Sequence, residues 1–200
     1  MRSGLTNIQW CPWCWDTLII MAIKNAFKEL EIESHRRVIV SWVGCSWKAS
    51  QYIDWYAAET LHWRTLPFAT WVKLNNPDLT VMAVWWDWDW FWIGMWHFIH
   101  ACRRDLDITY IVFDNENYAL TTGQASPTTP IWAKTKTTPD SNVQSPLDPV
   151  SLAKEAWCRF AKYADSVKFV ELKDIIKEAI NHKWFSLIDV HQACPSFKRW

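Results

Sequence analysis

An α/β fold, a mostly parallel sheet flanked by helices, is what this sequence predicts, and three observations carry the prediction. Short apolar runs rich in β-branched residues recur along the chain, stretches of helical periodicity separate them, and 50% of the 200 residues are hydrophobic. Uninterrupted apolar runs suit strands buried on both faces, and strands alternating with helices imply βαβ units. A chain of this length and apolar content buries a real core, and residues 1–200 are expected to form one domain.

The elements follow in order. Asp16 to Leu30 (DTLIIMAIKNAFKEL) has apolar residues at helical spacing, with Asp16 placed to cap the first turn. Arg37 to Ser41 (RVIVS) is the first strand, Ala49 to Glu59 a helix, and Thr80 to Val84 (TVMAV) the next strand. Gly94 to Arg103 continues as helix, Ile108 to Phe113 (ITYIVF) as strand, Ser151 to Tyr163 and Leu172 to His182 as helices, and Phe185 to Val190 (FSLIDV) as the last strand. A Cys-bearing loop precedes them at 10–15. Ala125 to Pro149, rich in Thr, Ser and Pro, is expected to be an irregular excursion with scope for mobility. No internal repeat is present. In open parallel sheets ligands bind beyond the carboxyl ends of the strands, so the loops after Val84 and Phe113 are where chemistry belongs.

Charge narrows the partners. With 21 basic and 21 acidic residues, nothing draws the chain to nucleic acid or to an anionic membrane surface. There is no basic leader followed by an apolar run and no apolar stretch of about 18 residues, so a cytoplasmic protein without a membrane segment is expected. In that compartment six Cys are reduced, metal-bound or buried rather than paired as disulfides.

Several constellations carry chemistry. Asp87 and Asn115 each fall just past a predicted strand; if those strands are neighbours, a carboxylate and an amide oxygen meet as hard ligands for Mg²⁺. Read alone, the same two residues also serve as a helix cap and a turn former. Cys11 and Cys14 form a CxxC pair, with Cys45 and Cys194 distant, a spacing compatible with a structural zinc site or with a 4Fe-4S cluster. His62 and Arg64 in LHWRTLPFATWVKLNNP (Leu61 to Pro77), and Lys48 in GCSWK, could meet an anion or remain solvated. His97 and His100, three apart on one predicted helix, suit packing or surface roles, and Cys102 and Cys158, also on predicted helices, suit plain thiols.

The composition departs from ordinary usage at one residue type. Eighteen Trp stand against four Gly, where Gly is normally about 7% of a chain. If Trp is replaced in reading by Gly, Trp85 to Trp96 (WWDWDWFWIGMW) becomes GGDGDGFGIGMG, a turn that can cradle a diphosphate.

With that substitution in view, VWWDWDWFWIG (Val84 to Gly94) and DNENYALTTGQASPTTP (Asp114 to Pro130) resemble the diphosphate and magnesium motif of thiamine-diphosphate enzymes. More narrowly they resemble the β subunit of 2-oxoacid:ferredoxin oxidoreductases, with the 2-oxoglutarate type closest. WCPWCW, GCSWK and HQACPSF are similar to the family segments whose Cys hold a 4Fe-4S cluster, and Leu61 to Pro77 to the family segment HGRxxPxATGxKLANP. The resemblance runs from about Trp10 to Cys194. It implies the thiamine-diphosphate-binding fold, thiamine diphosphate and Mg²⁺ as cofactors, and oxidative decarboxylation of a 2-oxoacid to an acyl-coenzyme A with ferredoxin as electron acceptor. By the same resemblance Asp87, Asn115 and the carbonyl of Asn117 hold Mg²⁺, Asp89, Gly123 and Gln124 border the cofactor, and Cys11, Cys14, Cys45 and Cys194 hold the cluster. Lys48, His62 and Arg64 would contact substrate or diphosphate, and an α subunit is the expected partner. Ending at Trp200 suggests a short member of the family or a truncation.

Trp13, Trp15, Trp42, Trp47, Trp55, Trp63, Trp71, Trp85, Trp86, Trp88, Trp90, Trp92 and Trp96 fall where the resembling family has Gly, with Trp132, Trp157 and Trp184 as further candidates. Glycine permits positive φ and close approach of backbone N–H groups to phosphate; indole permits neither. Each overpacked or φ-incompatible position costs about 1–3 kcal/mol, against a typical total stability of about 5–15 kcal/mol. The chain as written is therefore expected not to bind the cofactor and to fold poorly. A gene whose UGA codons specify glycine, read with a code in which UGA specifies tryptophan, produces this one-way pattern; deliberate replacement is the other explanation. A non-catalytic α/β module with a four-cysteine structural zinc site, or an inert misfolding variant, are the alternative functional expectations.

Overall fold

The computed structural model describes residues 10–42, 44–87 and 93–197. The α/β class and the mostly parallel sheet are as expected. In chain order the described strands are β1 (Arg37–Trp42), β2 (Tyr56–Thr60), β3 (Thr80–Trp86), β4 (Ile108–Asp114), β5 (Asn117–Tyr118), β6 (Gln124–Ala125), β7 (Phe160–Asp165) and β8 (Ser186–His191). The helices are α1 (Asp16–Glu29), α2 (Thr65–Asn75), α3 (Met95–Arg104), α4 (Pro149–Glu155) and α5 (Phe169–Asn181), with 3-10 turns at Ser34–Arg36 and Cys45–Tyr52.

Six strands form one sheet in the order β2-β1-β3-β4-β8-β7, and β5 and β6 pair separately. Every pairing within the large sheet is parallel. The central strands account for the apolar runs: all seven residues of β4 are buried, and of β3 only Thr80 is partly exposed. Helix α1 packs on α5 and α2 on α3, so each pair covers sheet surface with its apolar stripe. Ile19, Ile23 and Phe27 of α1 and Leu172, Ile176 and Ile180 of α5 are buried in this way.

The order of strands creates the site. Because β1 lies between β2 and β3, the chain leaves β1 toward one edge and leaves β3 toward the other. Their carboxyl ends therefore bound a crevice, the place where such sheets bind ligands. Trp42 at the end of β1 and Trp85 near the end of β3 are fully buried beneath it, their ring centroids 6.1 Å apart.

Three sequence expectations are corrected and one helix is added. Ala49 to Glu59 is not a helix: a 3-10 turn ends at Tyr52 and Tyr56–Thr60 becomes β2, its Ala and Glu held extended by the ladder with β1. Thr65–Asn75 is a helix that the sequence did not announce, with Pro67 tolerated in its first turn. Ser151 to Tyr163 divides into α4 and β7, and Cys158 lies between them rather than on a helix. Asp16 is not a cap: it is the first residue of α1, Trp15 occupies the cap position without a side-chain bond, and the Asp16 side chain is fully buried.

Candidate cofactor site

Strand β3 ends by delivering Asp87, buried, at the mouth of the crevice. Strand β4, its neighbour, ends at Asp114, and the chain then turns through Asn115, Glu116 and Asn117 with Glu116 in the left-handed region at φ 59°. Side chains hold this turn: Glu116 N donates to Asp114 Oδ1 at 2.9 Å, Asn117 N to Asn115 Oδ1 at 3.1 Å, and Asn117 Nδ2 to Asn115 O at 2.9 Å. The Thr128 hydroxyl lies 3.1 Å from Asp87 Oδ2 and 2.8 Å from Asp114 Oδ1. Asp87, Asn115 and Asn117 are thus gathered at one place.

The same place is strongly acidic. Burial pushes the Asp114 carboxyl up from its ordinary range, and pushes Asp189 of β8 up much further, helped by the charges of Asp114 and Asp87. Asp189 Oδ1 has no hydrogen-bond partner among the described residues, nor does Asn117 Oδ1.

Oxygen donors of this kind suit a hard cation, yet Trp86 contests them. Its indole Nε1 donates to Asn115 Oδ1 at 2.9 Å and lies 3.3 Å from Asn117 O, in a buried setting. Asn115 Oδ1 already accepts from Asn117 N, and Asn117 O from Ala119 N at 3.1 Å. A carbonyl oxygen has two lone pairs; on each of these oxygens one is taken by a backbone N–H, and the single indole proton is shared between the two that remain. As this chain stands, with the indole proton between them, these two oxygens do not fit Mg²⁺.

Gly123 sits in the loop between the paired strands β5 and β6, at φ 91°, where a Cβ would lie 3.1 Å from the Phe197 ring. Gln124 turns inward on that loop: its Oε1 accepts from Thr121 Oγ1 and its Nε2 donates to Thr121 O, both at 2.7 Å. Asp89, with Trp88, Trp90 and Trp92, lies outside the described residues. The segment beyond Ala125 is irregular, but buried polar residues tie it down. Asn142 Nδ2 donates to Thr129 O at 2.8 Å and to Gln144 O at 3.1 Å, and Ser126 N donates to Thr129 Oγ1 at 2.7 Å.

The four Cys come from three separated segments and approach one another. Cys14 N bonds Cys11 O at 3.1 Å, Trp10 Nε1 donates to Cys45 O at 2.7 Å, and Ser196 Oγ contacts Cys11 Sγ at 3.4 Å. Burial pushes Cys45 up to about 12, with the Asp16 charge next, and Cys194 and Cys11 are within electrostatic reach of it. Cys14 is pushed up by the same two causes. Among the described residues, no group of three or more His, Cys, Asp or Glu stands at metal-holding distance.

Lys48 is half-buried on the 3-10 turn after β1, where its charge reaches Asp16 and Cys45. His62 and Arg64 follow β2 at the entry to α2: the His62 ring packs 4.8 Å from that of Trp42, and Arg64 lies over Trp63 at 5.7 Å. Arg64 is near enough to His97 that, after burial, its charge lowers the His97 pKa. Cys102 is buried on α3, and the Cys158 thiol donates to Phe160 O at 3.1 Å, as core thiols do.

Sequence reasoning missed Thr128, Asp114 and Asp189. Asp189 was hidden inside an apolar strand run, Asp114 stood at the head of the motif after the strand without a role of its own, and Thr128 lay in a segment read as loose; the alternation of Ser126, Thr128 and Thr129 with Pro127 and Pro130 was the available sign of an ordered polar turn.

Residues 40–190 match the family described as thiamine pyrophosphate enzyme, C-terminal TPP binding domain. The chain is 40% identical over 190 residues to "2-oxoacid:ferredoxin oxidoreductase 2, subunit beta" of Aeropyrum pernix, covering 95% of this chain and 62% of that protein. It is 38% identical over 199 residues to "2-oxoglutarate synthase subunit KorB" of Archaeoglobus fulgidus, covering 100% of this chain and 74% of the relative. The fold is similar to the solved structure "2-oxoglutarate:ferredoxin oxidoreductase from Magnetococcus marinus with 2-oxoglutarate, coenzyme A and succinyl-CoA bound", with a TM-score of 0.95, 31% identity, and 98% of this chain and 67% of that chain covered.

Proposed function

Because this chain belongs to the β subunits of 2-oxoacid:ferredoxin oxidoreductases, we propose that it is the thiamine-diphosphate-binding part of a 2-oxoglutarate-type enzyme whose working form carries glycine at the tryptophan positions. The observation that carries this reading is the convergence of Asp87 after β3 with Asn115 and Asn117 after β4, three oxygen donors at the crevice of a parallel sheet. In the working form Asp87, Asn115 and Asn117 O hold Mg²⁺, with Asp89, Gly123 and Gln124 bordering the cofactor. Cys11, Cys14, Cys45 and Cys194 supply the four thiolates of a 4Fe-4S cluster. Lys48, His62 and Arg64 meet the carboxylates of the substrate or the diphosphate. Thiamine diphosphate, when bound, supplies the carbon nucleophile for decarboxylation of the 2-oxoacid, and the protein contributes binding and orientation.

The chain spans about three fifths of the length of the first relatives it matches, and the full activity is proposed for an assembled enzyme. An α subunit completes it, ferredoxin receives the electrons and coenzyme A the acyl group. Among the described residues no helix is long and apolar enough to cross a membrane; a cytoplasmic location is part of the proposal and rests on the partners it invokes.

The glycine reading is supported by backbone shape. Trp13, Trp63 and Trp157 adopt φ of 66°, 56° and 73°, a region in which bulky residues are outliers. Two measurements test the proposal. In the coding DNA, TGA is expected at positions 86 and 88, and TGG there sinks the recoding account. A glycine-restored chain, produced anaerobically with its α subunit, is expected to be brown and to reduce ferredoxin only with 2-oxoglutarate and coenzyme A. An assembled but colourless, zinc-bearing and inactive complex overturns the functional reading.

A further inference from the structure

Two oxygens of the cation site, Asn115 Oδ1 and Asn117 O, face a single nitrogen, Trp86 Nε1, at 2.9 and 3.3 Å. Each oxygen has its second lone pair engaged by a backbone N–H, from Asn117 and from Ala119. The indole proton is therefore the one donor the two oxygens share, and it stands at the point from which an ion would touch both. Trp86 itself is 2% exposed, so its ring cannot swing aside into solvent without opening the core.

An indole N–H is a weak imitation of Mg²⁺. It offers a partial positive charge at an N···O separation of about 3 Å, where a divalent ion would sit about 2.1 Å from each oxygen. It satisfies the same lone pairs without neutralising Asp87. Loss of the indole frees one lone pair on each oxygen at once and leaves an acidic pocket with Asp87, Asp114 and Asp189 around it. We infer that the Trp86 indole N–H occupies the cation's place, so that this one side chain closes the metal site and its removal opens it. The inference rests on the reading of Asp87, Asn115 and Asn117 as cation ligands, and it singles out position 86 among the many tryptophans.

Mn²⁺ alone is a suitable probe, because the free ion's electron paramagnetic resonance signal disappears on binding. The full chain is expected to show no saturable Mn²⁺ site. Trp86→Gly should bind one Mn²⁺ per chain at least tenfold more tightly than the parent, and adding Asp87→Asn to it should abolish that binding. A folded Trp86→Gly chain that binds no more Mn²⁺ than the parent overturns the inference, as does a parent chain with an Asp87-dependent site. A second measurement does not require the glycine variant to fold. The indole proton of Trp86, assigned by its disappearance in Trp86→Phe, should exchange with solvent slowly; rapid exchange overturns the inference. Failure of the functional reading is distinguishable. Mn²⁺ binding by Trp86→Gly with an inactive glycine-restored complex sinks the function alone. Turnover by a complex that is glycine everywhere except Trp86 sinks this inference alone.

Discussion

Asp16 shows how much one side chain's surroundings decide. Its carboxyl is fully buried, and burial pushes it from 3.8 up to about 7, against the smaller lowering effects of Cys14 and Lys48. Between those values the folded chain keeps a proton that the unfolded chain has released. Asp16 therefore favours the folded state most below about pH 4, and that contribution is lost as pH rises toward about 7. Asp16→Asn is expected to flatten this part of the stability profile, raising the urea midpoint at pH 7.5 relative to the parent more than at pH 4.5. Equal shifts at the two pH values would refute the account. Trp86 is the other residue whose identity decides chemistry, through a single proton shared by two oxygens.

Elements explain where the tryptophans fit worst. Helix α4 ends in a Schellman motif: Cys158 N bonds Ala153 O at 2.9 Å and Trp157 N bonds Lys154 O at 3.0 Å. The residue at the left-handed position of that motif is ordinarily Gly, and here it is Trp157, 82% exposed at φ 73°. Trp157→Gly thus relieves backbone strain and gives up little burial, and is expected to stabilise the chain by about 1 kcal/mol in denaturant titration. The segment after β6 is held by Thr128, whose hydroxyl serves two buried carboxylates. Thr128→Val keeps the shape and removes the donor, so a loss of about 1–3 kcal/mol is expected. Faster amide exchange over residues 126–142 should accompany it, and unchanged exchange there would show that the segment is anchored by other means.

Across the whole molecule, legibility followed burial. Strands β3, β4 and β8 could be read directly because both of their faces are covered, which forces a continuous apolar run. The two edge strands, β2 and β7, could not: each pairs with one neighbour and shows solvent-facing positions, so their opening residues, Tyr56 to Glu59 and Phe160 to Tyr163, read as the ends of helices. In the candidate site, Asp87 and Asn115 could be picked out by residue type as oxygen donors, and the structure sets them at the ends of the neighbouring strands β3 and β4; the four Cys could be picked out as thiol donors, and their role remains part of the proposal. Thr128, Asp114 and Asp189 could not, since their importance lies in whom they face.

By itself the sequence determined the α/β class, the family and the set of candidate donors, because hydrophobic periodicity and ligand chemistry are written in residue types and spacing. Only the tertiary structure decided that β1 and β3 part to form the crevice, that Thr128 closes over the carboxylates, and that the Trp86 proton falls between Asn115 Oδ1 and Asn117 O. Those outcomes depend on strand order and on separations of about 3 Å between residues distant in the chain, and no local pattern of residues encodes them.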